Sequence, residues 1–366
     1  LSGAIEFDSQ SVRIIDFAGV GPTGARLEAE GYVAPPGDGA EVSIDVSARG
    51  IPTDRVFVEA LPAKRRDVFN AVFDETEYAR LIEDGFVQTP AMKAEREARL
   101  AELSVELERA VAAGEAAEAL AGEVARLDDL AALPVFELGG VADMDVYVRR
   151  PLGADTNYAT TVDMRLAEAG LLIDRFPYPV VTHDLVLRIE PGRVLVRTPR
   201  LRGLTGGSGE ISGEIAYEED AEGYEPAIDV TADGVPVDRY LIQALPGERG
   251  AFEGAGGATH DRTELEDTVG AFADVSVRRL LTDLRIDGAV DVRALVLGRE
   301  GAAARGLETA EGGELSYDIA VTFADVIAQP RDGATRVDRV GGDIHVTPGE
   351  LRVQELVGEI GGAPWR

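Results

Sequence analysis

The chain has no cysteine, one tryptophan, three histidines and only two lysines, Lys64 and Lys93. Without cysteine there is neither a disulfide scaffold nor a thiolate metal site, so the redox compartment is left open between cytosol and periplasm. Cationic charge is also scarce, with 36 Lys and Arg against 67 Asp and Glu for a net charge of −31. Such a surface repels a polyanion and offers no basic stripe to release its counterions, which argues against nucleic acid as a partner. Nearly all the positive charge is arginine, a bias that fits a GC-rich coding sequence, or an acidic surface adapted to salt. No apolar run approaches the roughly 18 to 20 residues needed to span a bilayer. The first residues, Leu1-Ser2-Gly3, are neither an initiator methionine nor a signal peptide, and Gly361–Arg366 stops inside a repeated motif. The expectation is an internal segment of a longer protein.

What is present is repetition. The segment IDVSARGIPTDRVFVEALP, Ile44 to Pro62, recurs as IDVTADGVPVDRYLIQALP, Ile228 to Pro246, and Val12 to Gly31 aligns with Val194 to Gly213 at nearly the same offset. That offset far exceeds the roughly 20 to 50 residues of a solenoid coil, so each unit contains several strands and a connector. Aromatics are 6% of the chain, with Val, Ile, Leu, Gly and Asp abundant. Many short strands joined by tight turns fit this composition better than a helical core.

The clearest strands lie in Asp184 to Thr198, DLVLRIEPGRVLVRT, where Leu185, Leu187 and Ile189 share one face and Val186 and Arg188 the other. Pro191-Gly192 supplies the fixed φ and the positive φ of a tight turn, and Pro348-Gly349 repeats it within Gly342 to Leu356. In the first copy the strands are Ala4 to Phe7 and Val12 to Phe17, with the turn at Asp8 to Ser11. Glycine-rich corners at Gly19–Gly24, Gly203–Gly209 and Gly358–Gly362 follow, and further strands run over Arg26–Val33 and Glu210–Tyr217. The strands containing Ile44 and Ile228 hand over to helices, with Asp54 and Asp238 as expected N-caps. From Arg66 to about Leu133 the first unit carries a helical excursion with Leu100, Leu103, Leu107 and Ala110 at a/d spacing. Gly114 and Gly122 mark where it turns back or ends. It reads as a helical hairpin packed on itself or along the sheet edge, with a partner-binding coiled coil as the alternative. Gly247 to about Arg279 is the second, shorter excursion, and strands return at Val141–Arg149, Tyr158–Ala167, Ala289–Val296 and Tyr317–Asp325.

The chemical candidates are weak. Gly19 to Gly24 matches G-x-G-x-x-G, but an alternating strand comes after it instead of a helix, and the second copy keeps the glycines without their spacing. Ser208, in Gly-Gly-Ser-Gly-Glu, lacks the last glycine of a nucleophile elbow and is not repeated. His183, His260 and His345 are isolated, with no i, i+4 pair. Glu218 to Gly223 is acidic without the alternation of a calcium loop and reads as a solvated loop. The expectation is a non-enzyme with no catalytic residues, no metal ligands and no cofactor.

Taken together, the alternating strands, the Pro-Gly turn, the glycine corner, the strand-to-helix passage Gly-Val-Pro-Val-Asp-Arg…Ala-Leu-Pro and Phe176-Pro177-Tyr178-Pro179 resemble the AsmA-like and TamB-like envelope proteins of the repeating β-groove, bridge-like lipid-transfer class. The resemblance covers residues 1–62 and 135–366 and leaves out the long helical insertion. It implies a mainly β fold of repeated antiparallel meanders forming an elongated, curled sheet or groove, with helical insertions between repeats. Its parts would be a partial repeat over 1–52, a helical connector over 53–134 and a repeat over 135–236, then a short connector over 237–280 and a truncated repeat over 281–366. The implied function is to hold phospholipid acyl chains in the periplasm, between inner and outer membranes, as part of an inner-membrane-anchored protein. Outside the resemblance, other envelope proteins are further candidate partners, through the helical insertion. Leu185, Leu187, Ile189, Leu195 and Val353 are the candidate lining residues. Alternation alone equally fits a plain hydrophobic core and does not choose which set faces inward. The second reading is a structural β-repeat protein with a closed, dry core, assisting outer-membrane protein assembly or envelope integrity.

Overall fold

The computed structural model describes residues 2–114, 117–153, 158–173, 176–217, 224–244, 282–283, 285–309, 315–329, 335–348 and 350–365. The strands are β1 (Ser2–Phe7), β2 (Val12–Val20), β3 (Arg26–Ala34), β4 (Glu41–Pro52), β5 (Gly139–Arg150), β6 (Ala159–Ile173), β7 (Phe176–Glu190), β8 (Arg193–Gly203), β9 (Ser208–Ala216), β10 (Glu225–Pro236), β11 (Ile286–Asp287), β12 (Ala289–Gly298), β13 (Leu315–Ala328), β14 (Val337–Thr347), β15 (Glu350–Ile360) and β16 (Ala363–Trp365). They form one 16-stranded antiparallel sheet in which each strand pairs with its neighbour in sequence, except that β11 lies off the path against β13. The sheet curls without closing, with β1 and β16 at its edges. The mainly β meander, with helices between its repeats, is therefore the fold of this chain.

Period-two alternation decides what each face carries. Opposed residues across eight strands run Phe17, Ala29, Val46, Val146, Val162, Ile189, Val194 and Ile215. Pro226 continues this row on β10, and a second row crosses Ala232, Val292, Val321, Ile344 and Val353. The other face carries Glu28, Ser47, Asp145, Asp163, Arg188, Leu195 and Glu214 in a single row. One face is thus apolar along the sheet and the other is mostly polar.

The two copies of the sequence repeat use the same devices. Gly50 and Gly234 have φ of 71° and 63°, and each sits in a bulge, between Ala48 and Ile51 and between Ala232 and Val235. Each donates its amide to an aspartate of the next strand, Gly50 to Asp143 Oδ1 at 2.9 Å and Gly234 to Asp291 Oδ1 at 2.8 Å. Beyond each bulge the chain is tied back to that strand, Thr53 N to Gly140 O and Val237 N to Gly288 O, both at 2.9 Å. A bulge bends its strand and re-aims the residues beyond it; here it turns the chain out of the sheet and into a helix.

The helices are α1 (Arg55–Ala60), α2 (Ala63–Val72), α3 (Glu75–Glu83), α4 (Pro90–Ala113), α5 (Glu118–Ala131), α6 (Arg239–Ala244) and α7 (Arg299–Ala304). Asp54 Oδ1 caps α1 by accepting from Phe57 N at 3.0 Å, and Asp238 Oδ1 caps α6 by accepting from Tyr240 N and Leu241 N at 2.9 and 3.0 Å. Thr89 caps α4, accepting from Met92 N at 3.1 Å, and Pro90 fills its first turn, where no amide donor is needed. Leu103 is buried between α4 and α5, which pack on each other as a hairpin. Buried Gln88 closes its base: Nε2 donates to Ala131 O at 2.9 Å and Oε1 accepts from Arg96 at 2.9 Å. Gly114 ends α4 with φ of 73°, whereas Gly122 lies inside α5 and marks no break. Its neighbours are good helix formers, and a single interior glycine costs only about 1 kcal/mol relative to alanine. The one-turn helix α7 carries no periodic signal and was not expected. The second excursion, Gly247 to Arg279, lies outside the described residues.

Gly31 and Gly213, matched in the repeat, sit where neighbouring strands approach most closely. A Cβ on Gly213 would stand 2.2 Å from Ala227 O and 2.8 Å from Ile228 Cα, and one on Gly31 would stand 2.4 Å from Ser43 O and 2.7 Å from Ile44 Cα. These atoms are backbone and cannot move aside cheaply. Gly213→Ala is expected to destabilise the protein by about 2 to 4 kcal/mol, within the range for strained or overpacked sites. Chemical denaturation will check this, with Gly24→Ala, which meets no atom within 4 Å, as the milder comparison.

Candidate functional site

The apolar face of the curled sheet is covered unevenly along its length. Over β6 to β9 it is roofed by α1 and α2. Val58, Phe69 and Phe73 pack on Met164, Leu166, Leu187, Ile189, Val194 and Val196, all buried, with Leu61 and Val72 against the same cluster. Phe69 stacks on Phe73 with ring centroids 4.4 Å apart. The cavity left beneath α2 is about 30 Å³, bounded by Leu61, Arg65, Phe69, Met164 and Leu187 among others. That is room for about one water and not for a hydrocarbon chain.

On either side of this roof the apolar face is less covered by the described residues. Towards β1 the floor residues Val12, Ile14, Phe17, Val46, Met144, Val146 and Val148 are half-buried, and Ile5 and Phe7 at the edge are 52% and 74% exposed. Towards β16 the floor residues Ile228, Val230, Val292, Val296, Tyr317 and Ile319 are half-buried and Val353 is 42% exposed. Along the far rim of this second stretch, α6 supplies Tyr240, Leu241 and Ala244 to a cluster with Val290, Phe323, Val326 and Val340.

Of the candidate lining residues, Leu185, Leu187 and Ile189 lie on the apolar face beneath the roof, and Val353 lies on it in the stretch towards β16, opposite Ile344. Leu195 does not lie on it. The tight turn at Pro191-Gly192 sets Glu190 opposite Arg193, so the inward positions are odd-numbered on β7 and even-numbered on β8, and Leu195 pairs with Arg188 on the polar face. Sequence reasoning missed Val194, Val196, Ile211 and Ile215, although the parity change across a two-residue turn was available to identify them. It also missed the half-exposed floor of β4 and β5, because exposure there depends on where the helices lie.

The helical connectors also touch each other. Tyr240 of the second donates its hydroxyl to Phe86 O of the first at 2.6 Å, the two rings meet edge to face at 5.6 Å, and the Arg239 guanidinium lies over both rings at 5.1 and 4.8 Å. Tyr78 of α3 likewise donates to Phe136 O at 2.9 Å.

The remaining candidates are placed in the sheet's polar surface and turns. His345 Nε2 pairs with Asp318 at 2.5 Å and His183 approaches Glu168 at 3.7 Å, while His260 lies outside the described residues, as does Glu218 to Gly223. Gly21 to Gly24 is a tight turn closed by Gly24 N to Gly21 O at 3.0 Å, and Gly203 to Gly206 is closed in the same way at 3.3 Å. Ser208 is exposed at the start of β9. Among the described residues no three of His, Asp and Glu gather as metal ligands, and no helix is long and apolar enough to cross a membrane.

The shifted titratable groups are explained by this packing. Burial pushes Tyr178 up to about 12 and raises Tyr78 and Tyr317. On the polar face the Ser47 hydroxyl at 2.6 Å and then the Arg49 guanidinium at 2.7 Å hold the Asp145 carboxyl below its ordinary value. Arg188 and Arg193, each at 2.7 Å, do the same to Glu190. No protein-family model matches the chain, and no curated protein or solved structure is significantly similar to it.

Two outcomes are expected. Tyr240→Phe leaves Phe86 O without its buried donor and should lower stability by about 1 to 3 kcal/mol, read from thermal melting. Asp145 has a depressed folded pKa, so its contribution is present above the unfolded value of about 3.9 and is lost as pH falls through the lower folded value. Because the pair is partly exposed, that contribution is at most about 1 kcal/mol. Asp145→Asn should lower the urea midpoint at pH 7, and the deficit should shrink as the pH is taken below about 4; a deficit constant with pH would exclude the carboxylate charge as its source.

Proposed function

We propose that the apolar face acts as a trough that holds phospholipid acyl chains, making this chain a non-enzymatic lipid-binding or lipid-transfer segment. The observation that carries the reading is the apolar floor left half-exposed on both sides of the α1–α2 roof. A sheet face of this kind has no second sheet to cover it, and hydrocarbon tails match it chemically. Each aliphatic side chain that a tail covers contributes up to about 1.5 to 3 kcal/mol relative to full exposure, and the half-buried positions contribute part of that. In this reading the segment lies in the periplasm, belongs to an inner-membrane-anchored protein and bridges towards the outer membrane. Movement along the trough is passive, with any driving force supplied by partners. The shifted groups, Tyr178, Tyr78, Tyr317, Asp145 and Glu190, are accounted for by burial and ion pairing, so the reading assigns them no chemical step.

The second reading, a scaffold with a dry core, is favoured by one observation, the cavity of about 30 Å³ beneath α2. Within the lipid reading that stretch is a roofed partition, and chains lie in the open stretches beside it.

Native mass spectrometry of the purified protein separates the two. Wild type is expected to carry phospholipid adducts. Val146→Glu and Val230→Glu, at half-buried floor positions on either side of the roof, should each reduce adduct occupancy several-fold while leaving the circular dichroism spectrum unchanged, since a carboxylate in a hydrocarbon slot costs several kcal/mol. Reproducible absence of lipid from the wild-type protein would sink the proposal and leave the scaffold.

A further inference from the structure

One row of opposed residues runs beneath the α1–α2 roof and out on both sides of it. It passes from Met144 through Met164, Leu187, Val196 and Gly213 to Ile228, each paired directly with the next. At its two ends Met144 and Ile228 are half-buried, whereas Met164, Leu187 and Val196 in the middle are 2%, 4% and 7% exposed. The chemistry of the floor does not change along this row; its cover does. What covers the middle is itself apolar, Val58, Leu61, Phe69 and Val72, with Phe69 edge to face on Phe57 at 5.5 Å and stacked on Phe73.

This cover is an insert whose two feet are pinned separately. Thr53 N donates to Gly140 O at 2.9 Å and Thr53 Oγ1 accepts from Gly140 N at 2.8 Å, which ties the chain to β5 before α1 begins. Asp74 N donates to Leu172 O at 3.0 Å and ties it to β6 just after α2. Between the feet, Arg66 donates to Glu59 O and Leu61 O at 3.2 and 3.1 Å and clasps α2 to the end of α1. The two helices therefore form one body slung between fixed points. Hydrophobic attraction has no direction and scales with the area removed from water, so these side chains and a hydrocarbon tail satisfy the same floor interchangeably.

We propose that the α1–α2 span is an autoinhibitory plug: its side chains take the place of an acyl chain where the two less covered stretches meet, and lipid does not run the length of the floor until the span leaves it. This rests on the acyl-chain reading above and adds a point of control to it. With the plug seated, the remaining space of about 30 Å³ admits no tail, and lipid is held in two separate places. With the plug gone, the row from Met144 to Ile228 becomes one apolar path across β5 to β10.

The test uses a phosphatidylglycerol with a photoactivatable diazirine in one acyl chain, and locates the labelled peptides by mass spectrometry. In the wild-type protein, label is expected on the strands of Val146 and Val230 and not on those of Leu187 and Val196. Phe69→Ala combined with Val72→Ala should raise labelling around Leu187 and Val196 several-fold, because an apolar cavity opened in a core takes up apolar ligands. Replacing residues 54–72 by a Gly-Ser linker of equal length between the pinned feet should raise it further, and carries the same comparison if the double variant melts early. Labelling at Val146 and Val230 should stay unchanged in both and serves as the internal reference. Labelling at Leu187 and Val196 that already matches the reference in wild type overturns the assignment, and so does labelling there that stays absent in both folded variants; the acyl-chain reading stands in either case. Unfolding of both variants makes the span a structural core and overturns the assignment too. If no floor strand of the wild type is labelled, the acyl-chain reading fails and this inference fails with it.

Discussion

Because side chains alternate across a strand, an apolar residue at every second position commits one whole face of a sheet, and an open sheet has no opposite wall to bury that face against. Everything else in this molecule answers to that constraint. Over β6 to β9 the answer is local: α1 and α2 fold back over Leu187 and Val196 and fill the space almost completely. Towards β1, and again from β10 onwards, the floor stays half-exposed among the described residues.

The opposite face is where the acidic bias of the sequence is carried and partly balanced. Cross-strand pairs such as Arg49 with Asp145 and Arg188 with Asp163 place opposite charges side by side across the ladder, an arrangement worth a few tenths of a kcal/mol for each pair. Their main effect is to fix register and solubility rather than to hold the sheet together. Among the described residues, Arg65 beside the α2 cavity and Arg239 over the Phe86 and Tyr240 rings set a cation against apolar side chains instead.

Much of the architecture was legible in the residues. Period-two alternation, the Pro-Gly turn, the glycine corners and the aspartate caps are local signals with local causes, and the strands, turns and caps track them closely. Leu195 was misplaced because parity inverts across the turn at Pro191-Gly192, so counting must restart on the new strand. The helix α7 was missed because a single turn has no period to read. The site was far less legible. Whether Val146 is covered and Leu187 sealed depends on where α2 comes to rest, and that is a tertiary outcome absent from the pattern of either strand.

The hydrogen bonds Thr53 to Gly140 and Val237 to Gly288 have a bearing on how such a chain can change. Each makes an insert leave and re-enter the sheet at adjacent points on neighbouring strands, so the ladder on either side is indifferent to how much polypeptide lies between. Lengthening a loop whose ends are already pinned adds closure entropy only logarithmically. The junction therefore acts as a socket: it accepts the five helices from α1 to α5 after β4 and a connector of different make-up after β10, while the next strand resumes in the same register with the same aspartate clamp. Diversification of this protein can proceed in its inserts while the corrugated floor remains unaltered.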